Sequence, residues 1–371
     1  MSLQLNGTAG VTYNDGSNQP AAASPYGLKN RIINGNMVID QRNAGASVTP
    51  SSSQTYTLDR WRADMSVGSK FSVQQVADAP SNFVSSLKVT STSAYTVGAA
   101  DYFSISHQLE GYNTADIGFG TSGAKDITLS FWTKSSLTGT HGGVFGNQGD
   151  SQLYPFSYTI SSANTWEKKT INIPARTVGT WATNNTASMR LQWYMGLGSN
   201  YYGTVNAWNT GAIYGVSGQI NVVATSGATW FITGVQLEIG TTATPFENRM
   251  YGTELALCQR YYEKNYDINT APATNTSKGL EQVAGTIDGN QNFYYNVRFA
   301  VPKRANPSIT FYKSDGTANT WRYDRSGASN QSGTPAVGDN GDSSFYMRIP
   351  STGATWVVAT MNGFWTASAE L

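Results

Sequence analysis

The amino-acid sequence predicts an all-β protein that contains a single helix. Short segments rich in Val, Ile, Thr, Tyr and Trp recur along the 371 residues, and Gly, Asn, Asp and Ser separate them. In "DITLSFWT", apolar Ile127, Leu129 and Phe131 occupy every second position, as in a strand that buries one face. The sequence shows no repeat of fixed period, which counts against a propeller or a β-helix. We therefore predict a jelly-roll β-sandwich, followed by one connecting helix and a smaller C-terminal antiparallel β domain.

Residues 1–28 are predicted to form an N-terminal arm and linker. One short strand, Gly10 to Tyr13, precedes an Asn-Asp-Gly turn, and "PAAASPYG" follows as a linker. A strand of this length is not stable alone in water. We expect it to pair with another chain by strand exchange; the alternative is that it lies on the following domain.

Residues 29–249 are predicted to form the sandwich, because apolar and polar residues alternate between turn signals throughout this range. The glycine-rich segment "GTHGGVFGNQGDSQLY" at 139–154 is predicted to be a surface loop. The predicted strands are "RIINGNMVI", "RWRADMS", "KFSVQQVA", "FVSSLKVTST", "YFSISHQLE", "DITLSFWTKS", "PFSYTISS", "EKKTINIP", "SMRLQWYMG", "GQINVVA" and "TWFITGVQLEI".

Residues 250–264 are predicted to form the connecting helix, since Pro245 prevents the last sandwich strand from continuing. The predicted apolar stripe consists of Met250, Leu255, Leu257, Cys258, Tyr261 and Tyr262. The polar residues expected on the outer side are Glu254, Gln259, Glu263 and Lys264. Two interpretations stay open. Either the tyrosines pack around a three-fold axis between subunits, or the helix packs wholly within its own subunit.

Residues 265–371 are predicted to form the smaller β domain. Its "KSDGTAN" segment has the Asp-Gly pair of a hairpin turn, and "SGASNQSGTPAVGDNGDS" has the composition of a flexible loop. The predicted strands are "EQVAGTI", "NFYYNVRFA", "PSITFYKS", "TWRYDRS", "SSFYMRIP" and "TWVVATMNGFWTASAEL".

Charged residues make up 13% of the chain, about half the usual share, so uncharged polar groups must cover the surface. The net charge is +1 and the sequence has no basic run, so we expect no nucleic-acid partner. It also lacks the ~18 apolar residues of a membrane span and the pattern of a secretion signal. With Cys258 as the one cysteine, an intrachain disulfide cannot form, and we expect its side chain to be buried.

The aromatic segment "WYMGLGSNYYGTVNAWNTGAIY" at 193–214 is the strongest candidate for ligand binding. Aromatic faces pack on the C–H face of a pyranose, and amides bond its hydroxyl groups. The alternative is a loop that packs on its own aromatic side chains or between subunits. The candidate glycan-binding residues are Trp193, Asn200, Tyr201, Tyr202, Asn206, Trp208, Asn209 and Tyr214.

Metal binding and catalysis have weaker signals. His107 and His141, the only histidines, do not form a zinc pattern. Asp59 and Glu238 are candidate ligands of a structural calcium ion, and the alternatives are a salt bridge with Arg31 or Arg60 or capping of a turn. Motifs of the GxSxG, HExxH and P-loop types are absent from the sequence, so we expect no enzymatic activity and no other cofactor.

Several segments resemble bacteriophage virion fibre and tail-fibre proteins. "NGTAGVTYNDGSNQ" resembles the arm that introduces many tail-fibre modules, and "LKNRIINGNMVIDQRNAG" with "YTLDRWRADM" resembles the opening of their jelly-roll module. "FITGVQLEIGTTATPFENRMYGTELALCQRYYEK" is similar to the junction that follows this module, and "GFWTASAEL" is similar to the chain end of the same proteins.

The resemblance implies a structural protein on the virion exterior, at the tail or the capsid surface, with a carbohydrate-binding-like jelly roll and a homotrimeric assembly. It also implies that the N-terminal arm attaches the chain to another virion protein. A tail-fibre adhesin that binds a host cell-surface glycan during adsorption is the function that the aromatic segment favours. A capsid decoration or head-fibre protein with a purely structural role is the alternative that stays open.

Overall fold

The computed structural model describes residues 4–6, 10–12, 18–19, 29–285, 292–325, 328–350 and 359–371. These residues form antiparallel β-sheets and one α-helix, which confirms the predicted all-β fold class. Across the same ranges, the helical segments are too short and too polar to span a lipid bilayer.

The N-terminal arm contains three short strands where the sequence predicts one. They are β1 (Gln4–Asn6), β2 (Gly10–Thr12) and β3 (Asn18–Gln19). β2 pairs antiparallel with β1 on one side and with β3 on the other, all within its own chain. Both hydrogen-bonding edges of β2 are therefore occupied, whereas the sequence analysis favours pairing with another chain. The role of the arm in attachment stays a prediction.

Two facing sheets form the sandwich. Its strands are β4 (Thr55–Leu58), β5 (Trp61–Met65), β6 (Phe71–Val76), β7 (Ser86–Ser91), β8 (Tyr102–Glu110), β9 (Ile127–Ser135), β10 (Gly139–Asn147), β11 (Leu153–Ile160), β12 (Glu167–Ile173), β13 (Ala187–Leu197) and β14 (Thr229–Ile239). The first sheet has the order β11-β10-β13-β8-β5-β4, and the second has the order β12-β9-β14-β7-β6. Apolar side chains from both sheets meet in one core.

Two predicted sandwich strands, at 31–39 and 218–224, are wrong. The first is a turn, because the Asn34 side chain bonds both main-chain groups of Ile39. Its Nδ2 donates to the Ile39 oxygen over 2.8 Å, and its Oδ1 accepts from the Ile39 nitrogen over 3.0 Å. The second segment ends in a short 3-10 helix, Val222–Ala224, whose two valines are buried in the core.

The predicted surface loop at 139–154 is also wrong, since it forms β10 and the start of β11. β10 lies inside the six-stranded sheet, between β11 and β13. Glycine is depleted in strands, which is why the composition misleads. A Cβ atom on Gly143 would lie 2.4 Å from the Phe156 ring and 2.6 Å from the Gln192 main-chain oxygen. Glycine thus lets large side chains of the neighbouring strand cross β10.

His107 of β8 faces the core, where it is 1% exposed. Its Nε2 atom lies 3.0 Å from the Ile33 main-chain oxygen, and its ring meets that of Trp61 at a centroid distance of 5.0 Å. Burial, and then the charge of Arg60, hold the pKa of His107 well below its ordinary value. The folded protein therefore keeps this imidazole neutral under conditions in which the unfolded chain is protonated.

The free energy of unfolding should consequently fall as the pH drops below about 6.5, because only the unfolded chain takes up the proton. Each such histidine should lower the free energy of unfolding by about 1.4 kcal/mol per pH unit. Burial also lowers the pKa of His141, which adds to the loss. Asp59 acts in the opposite sense, since burial raises its pKa to about 6. Urea unfolding near neutral pH and at about pH 5 measures the sum. A His107→Phe variant isolates the contribution of His107, and an unchanged pH slope in that variant would contradict it.

The helix α1 spans Tyr251–Gln259 and ends earlier than the predicted boundary at residue 264. The next residues form a strand, β15 (Tyr262–Lys264), which pairs with the last strand of the chain, β23 (Ala359–Ser368). Pairing with a strand about 100 residues later in the chain therefore overrides the local helical pattern.

The predicted faces of the helix are partly wrong. Met250, which is assigned to the apolar stripe, is 83% exposed. Glu254, which is expected outside, is 4% exposed and accepts hydrogen bonds from the Asn34 main-chain nitrogen and from Arg249. Cys258 is fully buried as expected, and burial raises the pKa of its thiol well above the ordinary value. This thiol is therefore an apolar packing group of the junction.

The two tyrosines after the helix pack within their own subunit. The Tyr261 hydroxyl donates to the Glu110 carboxylate over 2.5 Å, and the Arg60 guanidinium lies 3.6 Å from the centroid of the Tyr261 ring. Tyr262 faces the Arg42 guanidinium at 3.8 Å. Both rings are buried in this way, so the interpretation in which they pack around a three-fold axis is wrong for these side chains.

The remaining strands form two small sheets. They are β16 (Glu281–Gly285), β17 (Asn292–Arg298), β18 (Ser308–Tyr312), β19 (Trp321–Arg325), β20 (Ala328–Gly333), β21 (Ala336–Gly338) and β22 (Ser344–Pro350), with β23 as the last. One sheet has the order β15-β23-β19-β20, with β16 and β18 also paired to β23, and the other has the order β17-β22-β21.

One prediction for this region is wrong and one is confirmed. The segment at 326–343, predicted to be a flexible loop, contains β20 and β21. The predicted hairpin turn at 313–319 is present, since Lys313 N donates to the Thr317 oxygen over 2.9 Å, Asn319 N donates to the Phe311 oxygen over 2.7 Å, and Tyr312 forms an antiparallel bridge with Ala318. β20 pairs with β19 and β21 pairs with β22, and composition does not report such pairing.

The segment at 369–371 returns to the outer face of the six-stranded sheet. The Glu370 carboxylate forms ion pairs with Arg42, at 2.9 Å, and with Arg60. The main-chain oxygen of Leu371 accepts a hydrogen bond from the Tyr56 hydroxyl over 2.8 Å. These contacts join the last strand of the chain to the sandwich.

Candidate functional site

Every second side chain of β5, β8 and β13 points away from the core, because strand residues alternate between the two faces of a sheet. On this outer face the six-stranded sheet carries polar residues, although the opposite face is apolar. The outward residues at the centre of the sheet are Arg62, Asp64, Ser104, Ser106, Arg190, Gln192 and Tyr194.

Loops convert part of this face into a cleft of about 220 Å³, which we call the tyrosine cleft. The loop after β13 supplies Tyr201 and Tyr214, the β10–β11 turn supplies Asp150, and the segment before β4 supplies Ser53 and Gln54. The residues that line it are Ser53, Gln54, Arg62, Asp64, Tyr102, Asp150, Arg190, Gln192, Tyr194, Tyr201 and Tyr214.

Four tyrosines form a row along one side of the cleft. The rings of Tyr194 and Tyr214 are stacked with centroids 6.1 Å apart, and Tyr214 lies 5.2 Å from Tyr201. Tyr201 then meets Tyr102 edge-on at 6.4 Å. Tyr194 is buried at the base of the row, whereas the other three rings are half-buried and reach the cleft surface. The row provides a rigid aromatic surface with hydroxyl groups at its edge.

The first ion pair of the cleft joins two residues of β5. Arg62 Nε lies 3.1 Å from the Asp64 carboxylate, and Ser106 Oγ donates to the same carboxylate over 2.5 Å. Arg62 Nη1 also donates to the Leu371 main-chain oxygen over 3.3 Å. The guanidinium is thereby fixed at the side of the cleft that faces the 369–371 segment.

The second ion pair lies on the opposite side, between Arg190 of β13 and Asp150. The Arg190 guanidinium lies 5.6 Å from the centroid of the Tyr214 ring, and the Tyr214 hydroxyl donates to Asp150 over 3.3 Å. Burial, followed by the charge of Asp150, raises the pKa of Tyr214, so this hydroxyl stays protonated at neutral pH.

Gln192 lies between the two ion pairs. Its Oε1 accepts from the Tyr194 hydroxyl over 3.1 Å, and its Nε2 donates to Ser104 Oγ over 3.3 Å. Burial raises the pKa of Tyr194 well above its ordinary value, so this hydroxyl also stays a donor. The floor of the cleft therefore combines amide and hydroxyl groups in fixed orientations.

The structure brings together only part of the predicted candidate set. Tyr201 and Tyr214 both line the cleft. Tyr202 lies beside it, where its hydroxyl donates to the Leu197 main-chain oxygen over 2.8 Å. Trp193 is wrong as a binding residue, because it is fully buried and its inward position on β13 places it in the core.

Trp208 is also wrong as a binding residue, because it packs on the core side of the sheet. Its indole Nε1 donates to the Pro174 main-chain oxygen over 3.0 Å. Its ring lies 5.9–6.1 Å from the rings of Phe119, Phe145 and Trp181. For this tryptophan the packing alternative of the sequence analysis is therefore the correct one.

The three candidate asparagines lie outside the lining of the cleft. Asn209 Nδ2 donates to the main-chain oxygens of Thr204 and Ala207 over 3.0 and 2.9 Å, which shapes the loop. Asn206 has a positive φ of 58°, a conformation that asparagine tolerates in turns. Asn200 is exposed on the short 3-10 helix that precedes the loop.

The predicted calcium ligands do not form a shared site. Both Asp59 oxygens accept from Gln41, through its main-chain nitrogen at 2.7 Å and its Nε2 at 2.6 Å. The Glu238 oxygens accept from the Thr244 nitrogen at 2.9 Å and hydroxyl at 2.6 Å. Calcium needs several free oxygen ligands at one point, and the described residues contain no group of three or more His, Cys, Asp or Glu that could hold a metal ion. The calcium assignment is therefore not supported.

The polar strand residues of the cleft are absent from the predicted candidate set. A signal for them exists in "WRADM" and in "RLQWY", where charged or amide residues alternate with buried apolar ones. Arg62 and Asp64 have this spacing on β5, as do Arg190 and Gln192 on β13. Alternation identifies an outward polar row, but it does not show which strands are neighbours in the sheet.

Comparison with known proteins gives matches only among solved structures, since no family model and no curated protein matches the chain. The chain is similar to the enzymatically active domain of tailspike protein 4 of bacteriophage CBA120 (14% identity, TM-score 0.32, 57% of this chain and 22% of that one). It is also similar to TmCBM61 in complex with β-1,4-galactotriose (10% identity, TM-score 0.30, 57% and 100%). A third is the family 11 carbohydrate-binding module of Clostridium thermocellum with a mixed-linked tetrasaccharide (15% identity, TM-score 0.28, 53% and 97%). Similarities this distant do not assign a function.

Proposed function

We propose that this protein binds a glycan in the tyrosine cleft and serves as a non-enzymatic recognition component on the exterior of a bacteriophage particle. The observation that carries the glycan proposal is the position of Tyr201 and Tyr214 beside the Arg190–Asp150 pair. A sugar ring has an apolar C–H face and a rim of hydroxyl groups. It therefore needs an aromatic face next to charge-assisted hydrogen-bond partners, and the cleft offers both.

The arrangement of the carboxylates favours binding over catalysis. Cleavage of a glycosidic bond needs one carboxyl group that donates a proton to the leaving oxygen. Asp64 and Asp150 are each engaged by an arginine, and each accepts a further hydrogen bond from a hydroxyl group. Both are thus placed as acceptors for sugar hydroxyl groups.

The virion location is supported by the resemblance of the arm, the jelly-roll opening and the junction to phage fibre proteins. The low share of charged residues fits a surface that is exposed outside a cell. A homotrimeric assembly, attachment through residues 1–28 and adsorption to a host polysaccharide belong to the same proposal.

Replacing both Tyr201 and Tyr214 with alanine should weaken glycan binding by about tenfold or more, because aromatic contacts commonly dominate such interfaces. Tyr201 is half-buried at the cleft surface, so we expect the fold to persist. The measurement is saturable binding of the purified full-length protein to intact host cells. Cells stripped of surface polysaccharide provide the background.

Two control variants sharpen this test. Tyr112→Ala removes a tyrosine that is 64% exposed and lies outside the lining of the cleft, so binding should be unchanged. Tyr201→Phe keeps the aromatic face and loses only the hydroxyl group that donates to the Ala100 main-chain oxygen over 3.2 Å. A folded double-alanine variant that binds like the wild type would refute the assignment of the cleft. A well-assembled wild-type protein that binds no cells would favour the capsid decoration role.

A further inference from the structure

Buried and packed residues close the tyrosine cleft at both of its ends along the strand direction. Opposite Arg190 and beyond it, the outward residues of β8 are Gln108 and Glu110, which are only 1% and 0% exposed. At the other end, the Tyr102 ring meets Tyr201 edge-on, and the loop that carries Tyr201 packs against this edge. The cleft therefore does not continue as a groove along the sheet.

The cleft is also bounded across the strands. On the side of β5, Arg62 holds the Leu371 main-chain oxygen, and Tyr56 donates to the same atom. On the side of β10, Tyr214 packs against a cluster that contains Val144 and Leu153. A long chain of sugar residues cannot lie across the sheet at this point without displacing these contacts.

The size of the cleft sets the size of its ligand. Pockets for drug-sized molecules have volumes of ~300–1,000 Å³, and the tyrosine cleft, at about 220 Å³, is smaller. This space suits one sugar ring that packs against the tyrosine row. Further residues of a glycan would have to leave the cleft towards solvent.

The charges of the cleft are balanced in pairs. Arg62 pairs with Asp64, and Arg190 pairs with Asp150. A sugar that carries a carboxylate needs an arginine that is free to form a bidentate ion pair. Each arginine of the cleft already has a carboxylate, so the residues suit a sugar without charge.

We infer that the tyrosine cleft holds a single uncharged sugar residue at the end of a glycan chain. This inference rests on the proposed glycan function and specifies its ligand. The protein recognises chain ends, and the number of binding sites on a surface equals the number of exposed ends. Polysaccharide length then has little influence on the affinity of one cleft.

The test uses the full-length protein and an immobilised set of neutral oligosaccharides of one to six residues that share the same terminal residue, together with acidic counterparts. For a recognised terminal residue, affinity should change by less than about threefold between its methyl glycoside and the longest chain. Exchange of that residue for an acidic one should lower affinity by about tenfold or more. Tyr201→Ala should weaken binding to short and long chains by the same factor, and Tyr112→Ala should leave both unchanged.

The outcomes separate the two proposals. Affinity that rises about tenfold or more as the chain lengthens would overturn recognition of chain ends and leave glycan binding in place. Stronger binding to acidic than to neutral terminal residues would overturn the inference that the ligand is uncharged and would also leave glycan binding in place. A folded protein that binds no member of the set and no host polysaccharide would overturn glycan binding itself and the inference that rests on it.

Discussion

Replacing Glu370 with glutamine should lower the free energy of unfolding by about 3–5 kcal/mol, because two arginines would lose the carboxylate that they share. The side chains of Arg60 and Glu370 are only 1% and 6% exposed, and that of Arg42 is 15% exposed. Burial alone would lower the pKa of Arg60, but the Glu370 carboxylate and other nearby ionisable groups together outweigh burial and raise it above the ordinary value. Glutamine keeps the shape and removes the charge, which leaves buried guanidinium groups uncompensated. Urea unfolding of the variant and the wild type measures the difference.

The matched control is Asp116→Asn, which also removes one carboxylate charge with little change of shape. Asp116 pairs with Arg31 at 2.6 Å, but its side chain is 53% exposed. Exposed ion pairs contribute about 0–1 kcal/mol, so this variant should have nearly the stability of the wild type. Equal losses in Glu370→Gln and Asp116→Asn would contradict the proposed role of the 369–371 segment in joining the last strand to the sandwich.

Trp193→Ala should destabilise the protein by about 3–5 kcal/mol, because it leaves a large cavity between the sheets. The Trp193 ring lies 5.8 Å from the Trp61 ring and 5.5 Å from the Phe131 ring and is fully buried. Glycan binding by the folded fraction should not change, since the side chain faces away from the cleft. Thermal or urea unfolding gives the stability, and binding below the unfolding transition gives the affinity.

Trp193→Phe is the control for the cavity. The Trp193 indole nitrogen has no hydrogen-bond partner among the described residues, so loss of the N–H group removes an unsatisfied donor. Phenylalanine also refills most of the space, so its loss of stability should be well below that of alanine. If Trp193→Ala abolished glycan binding at full stability, the side chain would belong to the site and not to the core.

Tyr201→Ala and Trp193→Ala should therefore affect different properties of the protein, although the two residues belong to one continuous segment of the sequence. The first is expected to lower affinity with little loss of stability, and the second to lower stability with little loss of affinity. Their separation follows from strand geometry, because Trp193 points inward from β13 while the loop returns Tyr201 to the outer face.

Local sequence patterns were sufficient to predict strands whose two faces differ in polarity or whose residues favour β structure. The predicted segments at 102–110 and 229–239 coincide with β8 and β14. Alternation and β propensity are properties of neighbouring residues, so they can be read without knowledge of the fold. The same information fails for β10, where glycine makes room for side chains of another strand.

The candidate site was also predicted only in part from the sequence. Aromatic composition identified the loop that carries Tyr201 and Tyr214, because large aromatic side chains among small polar residues are visible in any sequence. It also selected Trp193 and Trp208, since composition does not distinguish a ring at a surface from a ring in a core. The ion pairs of the cleft were missed because Arg62, Asp64 and Arg190 lie on strands whose sequence pattern indicates only structure, and Asp150 lies in a turn.

By itself, the sequence determined that the chain is a β-sandwich followed by one helix and more strands, and that its surface is almost neutral. These properties depend on composition and on the period of apolar residues. Only the tertiary structure decided that Arg62 of β5, Asp150 of a turn and Tyr214 of a later loop line the same cleft. The physical reason is that strand order and loop closure place residues far apart in the chain side by side, and no local pattern encodes which strands become neighbours.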